Sequence, residues 1–121
     1  MTDQVVKYGG HVVVAVSPDG PPIKTDQDVV DLIASHYYDE VEWFALPVER
    51  LDDAFFGLSS RIAGDIVQRF VMYGHQLAIV GDISHHLADS SNLRAFVDEA
   101  NRGRQVWFLP DLTTLTERLS A

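Results

Sequence analysis

Leu77-Ala78-Ile79-Val80-Gly81-Asp82 is the stretch on which the fold turns. Its apolar run is too short for a helix, shows no alternation and is closed by glycine and aspartate. That is the pattern of a strand covered on both faces, as in the middle of a parallel sheet. On its N-terminal side, Ser59 or Ser60 can cap a long helix in which Ile62, Ile66 and Phe70 form one stripe. Ala63 and Val67 widen that stripe, and Gly74 lies just past its end, where a C-cap glycine belongs. On its C-terminal side, Ser90 or Ser91 caps a helix with Leu93, Phe96, Val97 and Ala100 on one face and Gly103 after it. Val106 to Leu109 reads as the last strand. Pro110-Asp111 then starts a final helix with Leu112, Leu115 and Leu119 on its apolar side.

Farther upstream, Val41 to Leu46 reads as a strand ended by Pro47, and Asp53-Ala54-Phe55-Phe56-Gly57 as one helical turn broken by glycine. Thr25 or Asp26 caps an earlier helix, in which Val29, Ile33 and Tyr37 repeat at helical spacing beside Leu32. Val5 to Tyr8 and Val12 to Val16 flank Gly9-Gly10, a dipeptide that tolerates the positive φ of a tight hairpin. Ser17 to Pro22 is a turn-rich loop. The order β-β-α-β-α-β-α-β-α predicts one α/β domain over residues 1–121. It would hold a single mixed, mostly parallel five-stranded sheet with an N-terminal β-hairpin, four helices and right-handed crossovers.

The 121 residues are 46% hydrophobic, enough to build one core. The absence of cysteine excludes disulfides, thiolate metal sites and a cysteine nucleophile. Met1-Thr2-Asp3-Gln4-Val5-Val6-Lys7 lacks the basic start and apolar run of a signal peptide, and no aliphatic stretch approaches the length of a membrane span. A cytoplasmic protein is expected. Nine basic residues against eighteen acidic ones give a net charge of −9, with no basic footprint for phosphates. Neither nucleic acid nor an anionic membrane is expected as a partner.

Phe55-Phe56, Ala63-Gly64-Asp65-Ile66-Val67-Gln68-Arg69-Phe70, Leu77 to Asp82 and Phe96-Val97-Asp98-Glu99-Ala100-Asn101-Arg102-Gly103 together resemble a small bacterial family catalogued as a domain of unknown function, DUF family 4180. The resemblance runs over nearly the whole chain and implies no activity. The element order also resembles STAS domains, the fold of bacterial anti-sigma-factor antagonists. There a serine in an Asp-Ser-Ser-Gly motif at the start of a long helix is phosphorylated by a partner kinase. The matching stretch here is Leu58-Ser59-Ser60-Arg61, with leucine for the aspartate and arginine for the glycine. The resemblance implies Ser60 as the phospho-acceptor; helix capping is the plainer role of the same serines.

In open α/β sheets ligands gather at the carboxyl ends of the strands. Gly81, Asp82, Ser84 and His85 follow the fourth strand and, with Ser59 and Ser60, are the ligand-binding candidates. A helix start there suits a small anionic ligand, though the net acidity disfavours a highly charged one. His86 and Asp89 extend the cluster, but its spacing matches no established metal motif. Adjacent His85 and His86 would point opposite ways on an extended chain, so neither a metal nor a cofactor is expected. The alternative is a polar loop before a helix cap. His11, His36 and His75 read as isolated surface or turn residues.

No dinucleotide fingerprint, phosphate loop or nucleophile elbow is present, so no catalytic residue is assigned. Trp43-Phe44 and Trp107-Phe108 each put one ring on either face of the sheet. Helices on one face alone would leave an aromatic face to cover, and a homodimer is expected on that ground. The leading expectation is a small regulatory or binding module acting through protein or small-molecule contacts. A self-associating protein, or an enzyme using the loop after the fourth strand, are the alternatives.

Overall fold

A computed structural model describes residues 3–57 and 61–120. Strands β1 (Gln4–Tyr8) and β2 (His11–Ala15) form a hairpin. Gly9 and Gly10 turn it at φ of 54° and 86°, conformations that glycine adopts without strain. There follow α1 (Asp26–Ser35), β3 (Trp43–Pro47), two short 3₁₀ turns at Val48–Arg50 and Asp53–Phe56, and α2 (Ile62–Met72). The chain continues through β4 (Gln76–Val80), α3 (Ser84–Asp89), α4 (Ser91–Arg102), β5 (Val106–Leu109) and α5 (Leu112–Ser120). The sheet runs β1-β2-β3-β4-β5, with β1 antiparallel and every other pair parallel. β4 lies between β3 and β5, and Leu77, Ala78 and Ile79 are buried within it.

Local chemistry starts the helices. Thr25 and Asp28 form a capping box at α1: the Thr25 hydroxyl accepts from the Asp28 N–H, and the Asp28 carboxylate accepts from the Thr25 N–H. Ser90 accepts from the Leu93 N–H at the start of α4. The helices number five among the described residues rather than four, because residues 84–89 are helical instead of a polar loop. Asp82 accounts for this. One of its carboxylate oxygens accepts from both the Ser84 N–H (2.9 Å) and the Ser84 hydroxyl (2.6 Å), which starts the turn. The capping role expected of Ser59 or Ser60 falls outside the described residues. Arg61, just before α2, has left-handed backbone at φ 63°.

The two faces of the sheet are covered unequally. Val14, Phe44, Leu46, Leu77, Ile79 and Phe108 meet α1 to α4, packing with Val29, Ile66, Phe70, Leu93 and Val97. Ile62 and Phe96 are half-buried against this core. On the other face, Val13, Trp43, Ala45, Ala78, Trp107 and Leu109 meet Leu115 and Leu119 of α5. The Trp43 and Trp107 rings lie 4.3 Å apart, and the Arg118 guanidinium sits 3.9 Å over the Trp107 ring. Trp43 is 3% exposed and Trp107 7%. The aromatic face is thus covered within one chain, and the reason for expecting a homodimer falls away. No helix among the described residues is long and apolar enough to cross a membrane.

Ile66, on the buried stripe of α2, is 1% exposed. Ile66→Ala should lower the unfolding free energy by about 2–5 kcal/mol in a urea titration, through lost burial and the cavity left behind. Ile62→Ala, half-buried on the same helix, should cost less.

Candidate functional site

Gly81, Asp82 and Ser84 lie where the sequence puts them, at the carboxyl end of β4. They line a cleft of about 360 Å³ that Ile79, Ile83 and Phe108 help to wall. None of the described residues lining it is basic, so an anion finds no counter-charge there. The bonds from the Ser84 hydroxyl and N–H hold the Asp82 carboxyl below the usual carboxylate range. That carboxylate is occupied in starting α3. Gly81 has φ 140°, and a Cβ on it would stand 2.5 Å from Val48 Cγ2, so the end of β4 is pressed against the turn that leaves β3.

His85 does not join this cleft. His85 and His86 begin α3, and their rings lie side by side, with centroids 3.9 Å apart, instead of pointing opposite ways. His86 stacks on Phe56 at 4.2 Å and 15°, and its Nε2 lies 3.8 Å from Asp53 Oδ1. The segment after β4 therefore meets the 3₁₀ turn Asp53–Phe56. Ser59 and Ser60, expected to share its crevice, lie outside the described residues.

A second cavity, also about 360 Å³, opens between the loop leaving β2 and the turn leaving β3. Its base is Arg50, 8% exposed. Arg50 Nε donates to the Pro21 carbonyl (2.7 Å) and Nη1 to the Ser17 carbonyl (2.8 Å). The Arg50 carbonyl accepts from the Ile23 N–H (2.7 Å). Gly20 lies over the guanidinium so closely that a Cβ would overlap it. No carboxylate of the described residues pairs with Arg50. Among the described residues Nη2 has no acceptor, and no fully buried side-chain nitrogen or oxygen lacks a partner. The unused edge of the guanidinium is therefore reached from the cavity.

Carboxylates surround this opening: Asp3, Asp19, Asp28 and Asp31. Asp28 is committed to the α1 cap. Asp3 accepts from the Ser17 N–H (2.8 Å) and from His36 Nε2 (2.9 Å), while His36 Nδ1 donates to Asp39 (2.8 Å). Burial, which leaves the His36 side chain 11% exposed, opposes its charged form. The bonds to Asp3 and Asp39 and their charges outweigh it, and the His36 pKa is raised. Burial likewise pushes the Asp3 carboxyl up. The bonds from His36 and Ser17, with the charges of His36 and Arg50, bring it below its ordinary value.

The three histidines read as isolated are all engaged. His11 Nδ1 pairs with Glu42. His75 Nδ1 donates to the Val41 carbonyl (2.9 Å) and its ring packs edge-on against Phe44 at 5.1 Å.

A family profile described as "Domain of unknown function (DUF4180)" matches residues 8–119. The chain belongs to that family. No curated protein and no solved structure matched it. Within this DUF4180 domain, Phe55, Phe56, Ile66, Phe70, Leu77, Ile79 and Val97, which help to carry the sequence resemblance, are all buried. Arg50, Asp3, His36 and Asp53 are the functional candidates that sequence reasoning missed. Asp3 and His36 are 33 residues apart, and Arg50 is a single arginine after a strand, so no local pattern marks them.

The His36 network sets a pH dependence. A folded-state pKa raised above about 6.5 gives stabilisation that is complete below that value and lost as pH rises through the folded pKa. The depressed Asp3 pKa gives stabilisation present above about 3.9 and lost as pH falls through its folded value. The stability gap between wild type and His36→Gln should therefore be widest between roughly pH 4 and 6.5 and should narrow toward about pH 9. Urea midpoints measured across that range check it; a gap independent of pH would contradict it.

Proposed function

We propose that this domain is a small regulatory binding module whose ligand is a zwitterion of the amino-acid class, seated in the cavity over Arg50. One observation carries the reading. Arg50 is a buried cation with no carboxylate partner among the described residues, and one guanidinium edge lies open to a cavity at the carboxyl ends of β2 and β3. That edge can take a carboxylate oxygen in a charge-assisted hydrogen bond. A bare anion would also feel the rim of aspartates, and a bare cation would feel the guanidinium. A molecule carrying both charges suits both, with its ammonium toward Asp19 and Asp31 and its carbon skeleton against Ile23 and Leu32. The volume falls within the range of small-molecule sites.

Thermal shift and NMR titration with free amino acids, their decarboxylated amines and their N-acetyl derivatives test this. Saturable binding is expected for the free zwitterions alone. Asp31→Asn should weaken it about tenfold by removing an exposed rim charge, and Arg50→Lys more, because lysine cannot keep the two carbonyl bonds and still offer an open edge. Amines binding as well as the amino acids, or no saturable binding at all, would remove the reading.

One observation favours a second, STAS-like reading. Arg61 stands where the STAS motif has glycine, and its φ of 63° lies in the region that glycine favours. On this reading Ser60 is the phospho-acceptor. Phosphosite mapping of the protein from its host should find Ser60 modified; full occupancy by unmodified serine under all growth conditions would count against it.

A further inference from the structure

We propose that Asp53, His85 and His86 form a binding site for a borderline divalent cation such as Zn²⁺. One candidate ligand atom from each, two imidazole nitrogens and a carboxylate oxygen, lie within 4.8 Å of one another. Zinc holds nitrogen and oxygen ligands at about 2.0–2.2 Å, so two ligands on a tetrahedral ion sit roughly 3.4 Å apart. His86 Nε2 and Asp53 Oδ1, at 3.8 Å, are already close to that spacing. The Asp53 side chain is 98% exposed and His85 is exposed, so rotation of these two side chains can close the remainder. His86 is the fixed member: its side chain is 17% exposed and its ring lies flat on Phe56.

Ordinary electrostatics gives little reason for this arrangement. A contact of 3.8 Å to a carboxylate that is 98% exposed adds little to stability even when the histidine is charged. Two imidazoles 3.9 Å apart repel if both are protonated. As neutral rings they offer lone pairs that one cation can share. The donor set prefers Zn²⁺, Co²⁺, Ni²⁺ or Cu²⁺ to Mg²⁺ and Ca²⁺, which take oxygen ligands. Three protein ligands leave a coordination position for water or a further ligand. The ion would tie the turn preceding α2 to the first turn of α3, joining two connections that leave the sheet at the same edge.

Calorimetric titration of the full chain with Zn²⁺, in a buffer that does not chelate, tests the site. One equivalent should bind, at least tenfold more weakly in Asp53→Asn and in His85→Gln, and unchanged in His11→Gln, whose histidine lies at the opposite edge of the sheet. Affinity should fall on acidification, because binding the ion releases protons from its ligands. Substituting Co²⁺ should give the visible bands of a low-coordinate nitrogen and oxygen site, lost in the same variants. Both substitutions are at exposed positions, and melting without metal should match wild type. Uptake without one-to-one saturation, or equal affinity in wild type, Asp53→Asn and His85→Gln, would overturn the proposal.

Discussion

Each strand after β1 is laid beside the one before it, and that one-way order governs the rest of the structure. Right-handed crossovers that always step in the same direction must carry their helices to the same face. Hence α1 to α4 crowd one side of the sheet, and among the described residues α5 is the one helix on the other side. The same order sends every strand-to-helix connection out at one edge. Ser17, Arg50, Asp53 and Asp82 are far apart in sequence, yet all stand at that edge, and the two candidate sites grow from it.

Polar groups fasten the parts that the apolar core does not reach. The Arg50 side chain holds the Ser17 to Pro22 loop against the turn after β3 by donating to two carbonyls, with Gly20 flat against the guanidinium. An apolar residue could fill the space but would leave those carbonyls without donors. Asp3 and His36 join the chain ahead of β1 to the end of α1 in the same way. Asn101 does so for β5, exchanging hydrogen bonds with the Phe108 N–H and carbonyl along the last strand of the β1-β2-β3-β4-β5 order. Arg50 is buried, and Asp3, His36 and Asn101 are half-buried, for contacts that hydrophobic packing cannot make.

What was legible in the sequence follows from the range of the forces involved. Periodicity and capping act over a few residues, so the five strands, the hairpin, α1, α2, α4 and α5 can be read from Gly9-Gly10, Thr25, Ile66, Ser90 and their neighbours. α3 escaped because six residues from Ser84 to Asp89 hold too little apolar periodicity to signal a helix. Within it the His85 and His86 rings lie 3.9 Å apart, an arrangement of side-chain rotamers that adjacency in sequence does not dictate. Trp43 and Trp107 show in the sequence that an aromatic face exists, but not which helix crosses to it. Asp82 and Ser84 are legible as polar residues at a strand end, and the bonds between them start α3. Arg50 and the pair Asp3 and His36 depend on contacts across about thirty residues, which no local pattern encodes. The family resemblance offers no help there, since neither Arg50 nor Asp3 nor His36 is among the residues that carry it.

The pairing of Trp43 with Trp107 has a spectroscopic consequence. These are the only two tryptophans in the chain, and both sit under α5 with Arg118 over one ring. Intrinsic emission from this protein is therefore a local gauge. It reports the docking of α5 onto its face and is nearly blind to the four-helix side, where Phe44, Phe55 and Phe70 carry the aromatic packing without an indole. During synthesis α5 emerges after all five strands, so the indole pair stays wet until the sheet is complete. A refolding trace followed by emission would time that final closure, while far-ultraviolet dichroism would time the helices that precede it.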